Sequence, residues 1–183
     1  MLDMNNGLYS FRYSYENAAL IRSATKIIKH SVVSSDYKQL QFKSTNVSHV
    51  PSSLDIEQTN QLVYCLATQI KHLVLTERKC FYTLAPEHIY MVDDTFVYMF
   101  DDHLMDLDQN DHIQLYGWVD PDDEFLSPEL RLVPKTVHYK TIYYSLALLV
   151  KRLYSQWETS YKLSQMLRRC MCECPQERSI IYV

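Results

Sequence analysis

Apolar residues along the chain follow two spacings, one helical and one alternating, and the switches between them mark the elements. Residues 8–13 read as a short strand. Leu20, Ile21, Ala24, Ile27 and Ile28 then recur three or four apart and predict a helix, with Ser14 as its candidate N-cap. Lys26, Lys29 and His30 sit favourably against the dipole at its far end. A strand is expected over 37–43, and the Ser/Thr/Asn/Pro-rich stretch 44–53 reads as a loop. Val63, Leu66, Ala67, Ile70, Leu73 and Val74 carry the helical period through 55–75, a long core-facing helix. Residues 89–92 and 96–100 alternate around Asp93-Asp94-Thr95, the pattern of a hairpin. Residues 101–124 show no period and read as a surface loop. Ile142, Leu146, Leu149, Val150 and Leu153 predict a helix buried on most sides over 137–154. Leu163, Met166, Leu167, Cys170 and Met171 predict a last one over 161–172. The pattern defines an α+β chain that is mainly α.

Composition narrows the possibilities. With 183 residues, 47% of them apolar and 22% charged, the chain suits one soluble domain. Gly7 and Gly117 are the only glycines, which excludes a Gly-rich phosphate-cradling loop. The longest apolar run, 142–150, is too short to span a bilayer, and no basic-then-apolar leader opens the sequence. Five cysteines, an odd count without a secretory signal, suggest free thiols in a reducing compartment, so a cytoplasmic location is expected. Charge is strongly segregated. Residues 81–130 hold thirteen acids and no Lys or Arg, leaving eighteen bases against nine acids elsewhere. Such a field disfavours nucleic acid at the middle segment and favours a basic protein surface or a cation there, unless the segment is merely solvated.

Four short landmarks occur in order: Thr83-Leu84-Ala85-Pro86-Glu87-His88, Phe100-Asp101-Asp102-His103, Ser127-Pro128-Glu129 and Pro175-Gln176-Glu177-Arg178. Together they resemble the C-terminal lobe of a protein kinase from which the chemistry has been removed. The first resembles the catalytic loop Asp-x-Lys-Pro-Glu-Asn, the second Asp-Phe-Gly, the third Ala-Pro-Glu, and the fourth the late Pro-x-x-Arg. His88 and Asp101 are thirteen residues apart, the separation the family keeps between its metal-binding Asn and Asp, with a hairpin between. The resemblance covers about 55–183 and implies helix E at 55–75, helix F where Tyr144-Ser145-Leu146-Ala147 is similar to Trp-Ser-Leu-Gly, and helix H at 161–172. Only about seven residues separate the last two helices, where helix G would be. Residues 1–54 match a reduced N-lobe more loosely, and the two portions are expected to fold together as one domain.

What the resemblance implies for chemistry is mostly loss. Phosphoryl transfer needs a carboxylate to orient the attacking hydroxyl, magnesium ligands and a Lys on the phosphates. Thr83 stands at the base position, Ala85 at the lysine and His88 at the metal-binding Asn, while Asp101 alone is retained. A threonine hydroxyl cannot accept a proton near neutral pH as a carboxylate does. On the N-terminal side Arg12 is the nearest cation and Glu16 its nearest possible partner. Ile142 occupies the place of the helix F Asp that braces the loop, which fits a loop no longer held for chemistry. The resemblance also implies a structural ion pair between Glu129 and Arg178. His88, Asp101, Asp102 and His103 could gather a cation or simply face water. Cys170, Cys172 and Cys174 could ligate a soft metal or pack as thiols; neither set is read as a metal site. Tyr139, Tyr143, Tyr144, Tyr154 and Tyr161 suit either packing or a partly wet interface.

The expectation is therefore a catalytically inactive kinase-like module that binds protein, needs no cofactor, and contacts neither nucleic acid nor membrane. Asp106, Asp108, Asp111, Asp120, Asp122, Asp123 and Glu124, within the acidic segment 101–129, form the expected interaction surface for a basic partner. Some viral kinase mimics, and the kinase non-catalytic C-lobe domain of certain cytoskeletal regulators, are similar in kind. Two alternatives stay open: a structural subunit of a large assembly such as a virus particle, and an altered nucleotide chemistry on His88 and Asp101.

Overall fold

A computed structural model of the chain describes residues 2–5, 7–13, 15–29, 31–115, 119–132, 135–154 and 160–180. The candidate cap Ser14 and the basic His30 lie outside the described residues. The N-terminal portion is an antiparallel sheet of β1 (Leu2–Asn5), β2 (Leu8–Arg12), β3 (Val32–Ser35) and β4 (Gln39–Lys43) in the order β1-β2-β4-β3, with α1 (Ala18–Ile27) against it. Gly7, at φ 74°, supplies the left-handed backbone of the turn that joins β1 to β2. Phe42 stacks between Tyr9 and Phe11, with ring centroids 5.7 and 5.6 Å away. Their core also takes in Ile21, Ala24 and Ile28 from the helical side and Val92, Val97 and Met99 from the next portion, so the two portions share buried surface.

The expected loop 44–53 contains a strand, β5 (Val47–His49), which sequence reasoning missed. Its stability comes from a partner far along the chain. Following α2 (Ile56–His72) and β6 (Lys79–Phe81), the hairpin of β7 (Ile89–Val92) and β8 (Thr95–Tyr98) forms, and β5 pairs antiparallel with β7. Asp93, at φ 51°, turns the hairpin, and its carboxylate accepts hydrogen bonds from Thr45 N (3.0 Å), Thr45 Oγ1 (2.7 Å), Ser44 Oγ (2.9 Å) and Asn46 N (3.2 Å). The long helix begins with a reciprocal cap, Asp55 accepting from Gln58 N while the Gln58 side chain accepts from Asp55 N. It ends in a π turn, Leu73–Glu77, and Arg78 closes it in the left-handed region at φ 54°.

Residues 101–124 are not the free surface loop that their lack of period suggested. β9 (Leu104–Asp106) pairs with β6, and β10 (His112–Gln114) pairs with β11 (Thr136–His138). Three-residue strands are too short to register as alternation, yet Leu107, Ile113 and Val119 of this segment enter the main core. Because residues 136–138 are spent on β11, the following helix α3 starts later than expected, at Thr141–Leu153; α4 (Tyr161–Cys170) then packs on it. Among the described residues no helix is long and apolar enough to cross a membrane.

Gln69 is the polar residue that joins these layers. It is fully buried in α2, and its side chain behaves as a peptide group beside β8, donating to Tyr98 O (2.8 Å) and accepting from Tyr98 N (2.9 Å). It also donates to Ser23 Oγ on α1 (3.1 Å). Removing it strands both backbone groups of Tyr98 in a dry interior. Gln69→Ala is expected to cost about 3 kcal/mol and lower the thermal midpoint by roughly 6–12 °C. A midpoint equal to wild type in a thermal melt would contradict this role.

Candidate functional site

The candidate site is built around the loop between β6 and β7, where the first landmark lies. Thr83 is buried; its Oγ1 donates to Asp123 Oδ2 (3.2 Å) and lies 3.4 Å from Ser145 Oγ. Ser145 also accepts from Leu84 N (2.8 Å), and Ala85 N donates to Tyr98 Oη (3.4 Å). The loop is nonetheless held from α3. Ile142 is indeed apolar core, but the brace comes from Ser145 three residues further along α3, whose small hydroxyl fits beneath the chain and satisfies its N–H.

His88 does not turn toward a ligand set. Its ring stacks on Phe100, with centroids 3.7 Å apart and planes 7° from parallel. His103, at the end of the second landmark, is held by Tyr98 Oη at 2.6 Å from its Nδ1 and packs edge-on to Phe100. Burial, reinforced by the neighbouring His88, pushes His103 down to about 4, and burial also lowers His88, so both are neutral at pH 7. Asp101 contributes its backbone carbonyl to Leu104 N (2.9 Å). Among the described residues no three His, Cys, Asp or Glu side chains gather as a cation site. The late cysteines diverge: Cys170 is buried against Met166 and Ser179 O, Cys172 contacts Arg168 O, and Cys174 is exposed beside Gln176.

Arg12 approaches Asp3 on β1, at 3.7 Å, rather than the expected Glu16. A different arginine ties α1 down. Arg22 donates to Glu77 from Nε (2.7 Å) and Nη2 (2.5 Å), reaching the π turn at the end of α2.

Glu129 and Arg178 meet in a two-pronged ion pair, Nη1 to Oε1 at 2.5 Å and Nη2 to Oε2 at 3.0 Å. Arg178 has 0% of its side chain exposed and Glu129 21%. Nε also donates to Cys172 O (2.8 Å) and Nη2 to Glu173 O (3.3 Å), and the guanidinium lies 4.9 Å over the Tyr144 ring. Burial alone would raise the Glu129 carboxyl, but the Arg178 hydrogen bonds and charge hold it below its ordinary value.

The seven acids of the expected surface are not equivalent. Asp106 pairs with Lys79, and Asp111 with Arg78 Nη1 at 2.7 Å. Asp108 is turned to its own loop, accepting from Asn110 N, His112 N and Gln114 Nε2. Asp123 accepts from Phe125 N (2.8 Å) and from Thr83. Arg78 and Lys79 stand just before the acidic segment in sequence and fold back against it, which linear charge counting misses. Asp120, Asp122 and Glu124 are exposed, Asp120 also accepting from Asp122 N (3.0 Å), and Arg131 behind them binds the carbonyls of Pro121 and Asp123. No protein-family model matches the chain, and no curated protein matches it.

The neutral histidines give the fold an acid sensitivity. His103 is depressed from an ordinary 6.5, so the unfolded chain takes up its proton first as pH falls; the stability present above 6.5 is lost progressively down to about 4. At pH 5 this amounts to about 1–2 kcal/mol from His103. Urea unfolding at pH 7.5 and pH 5 is expected to show a smaller difference in His103→Gln than in wild type, and parallel losses would refute the assignment.

Proposed function

We propose that this chain is a catalytically inactive protein-kinase-like domain that serves as a protein-binding module. Residues 55–183 are its C-lobe-like portion and 1–54 a reduced N-lobe-like portion, with α2, α3 and α4 in the roles of helices E, F and H. The observation that carries the reading is a contrast within the landmarks. Glu129 and Arg178, whose role in the family is to hold the lobe together, form a complete ion pair. The residues at the chemical positions are turned to other uses: the Thr83 hydroxyl is bonded to Asp123 and Ser145, Ala85 has no functional group, and the His88 imidazole is stacked on Phe100. Asp101 without partners is a poor holder of magnesium nucleotide.

The binding surface under this reading is the part of the acidic segment that is exposed and takes no part in an ion pair among the described residues, Asp120, Asp122 and Glu124, presented on a segment anchored by Asp123 and Arg131. A basic partner would be recognised there chiefly by Coulomb attraction and released by salt. Affinity capture from the native source, with wild-type protein beside Asp120→Asn/Asp122→Asn/Glu124→Gln, tests it. Asp123 stays intact because it serves the fold. Partners lost by the variant and eluted by about 0.5 M salt are expected. Identical partner lists would sink the choice of surface, and a stoichiometric, salt-resistant complex held by both proteins would instead identify a structural subunit of a larger assembly.

A further inference from the structure

A cavity of about 380 Å³ opens between the start of α2 and the β7–β8 hairpin, lined by Glu57, Gln58, Gln61, Met91, Asp94 and Phe96. It has two layers. Phe96, 1% exposed, and half-buried Met91 form an apolar floor. The rim is carboxylate and amide. Glu57 and Asp94 are both exposed, and neither takes part in an ion pair among the described residues. Both stand on stiff supports. Glu57 lies in the first turn of a helix closed by the Asp55–Gln58 cap, and Asp94 follows Asp93, whose carboxylate straps the hairpin tip to residues 44–46.

We infer that this groove docks an arginine side chain from an extended, basic segment of a protein partner. Charge and layering select the occupant. Methylenes of an arginine stem match the Met91–Phe96 floor, while the guanidinium fork has donors enough to serve carboxylates on two sides of a rim at once. A lysine carries the same charge as a point and uses such a divided rim less well. Neutral apolar peptides would leave Glu57 and Asp94 to be desolvated without compensation, and anions are repelled. The groove uses other residues than the acidic segment 101–129, so it adds a second contact to a protein-binding module and stands or falls separately from the first.

The test is fluorescence anisotropy of a labelled peptide with a Leu-Arg-Leu-Arg-Leu core against the full chain. Its partners are the same peptide with citrulline for arginine and two protein variants, Glu57→Gln/Asp94→Asn and Asp120→Asn/Asp122→Asn/Glu124→Gln. Wild type is expected to bind the arginine peptide, and the groove variant to bind it about tenfold more weakly. The citrulline peptide is expected to lose at least as much, and the 120–124 variant to change by less than about twofold. No binding by wild type, equal binding of the citrulline peptide, or equal binding by the groove variant overturns the inference. A loss confined to the 120–124 variant places the peptide on the acidic segment, overturning the groove while supporting the proposed surface.

Discussion

A guanidinium with no exposure to solvent constrains everything packed around it. Taking an arginine out of water is tolerable only if each side of the fork finds an acceptor, and Arg178 finds Glu129, Cys172 O and Glu173 O while lying over Tyr144. Those partners come from three places: the end of the acidic segment, the turn after α4, and the first half of α3. The pair therefore fixes the exit of the acidic segment against the helical layer. Thr141, which begins α3, is fully buried beside Ser127 and hydrogen-bonded to it, so the chain before Glu129 is drawn to the same point.

From that anchor the described parts of the acidic segment are tied down at several points. Asp123 meets Thr83 under the β6–β7 loop, β10 is pinned by β11, and β9 by β6. Ser145 and Tyr98 hold the same loop from α3 and β8, and Gln69 holds β8 from α2. Each contact satisfies a backbone or hydroxyl group inward. A loop organised for phosphoryl transfer would aim its polar groups at a substrate and a metal. The inward arrangement, with a neutral His103 and a stacked His88, is what the proposed scaffold role calls for.

The helices were legible because each repeats its apolar stripe over several turns. The β7–β8 hairpin was legible because Asp93-Asp94 interrupts a clean alternation. β1, β3, β5, β6 and β9 to β11 were not, since strands of three or four residues owe their existence to distant partners rather than to any internal period. The Glu129–Arg178 pair was accessible only through the resemblance, and no sequence pattern announces Gln69, a polar residue on the buried side of a helix. Counting charges along the chain marked the acidic middle but overstated its freedom, because Arg78 and Lys79 lie just outside the counted window and fold onto Asp111 and Asp106. Ser145 was not legible as a brace for a related reason: the resemblance points to the position of an Asp, and the hydroxyl that holds the loop stands three residues later.

The most direct measurement is a double-mutant cycle on the anchor, using urea unfolding of wild type, Glu129→Gln, Arg178→Met and the double variant. If the buried pair organises the fold, each single change costs about 3–5 kcal/mol because it strands the other member. The double variant should then be less destabilised than the two losses added, by about 2 kcal/mol or more. Singles that unfold with wild-type stability, or losses that simply add, would contradict the account.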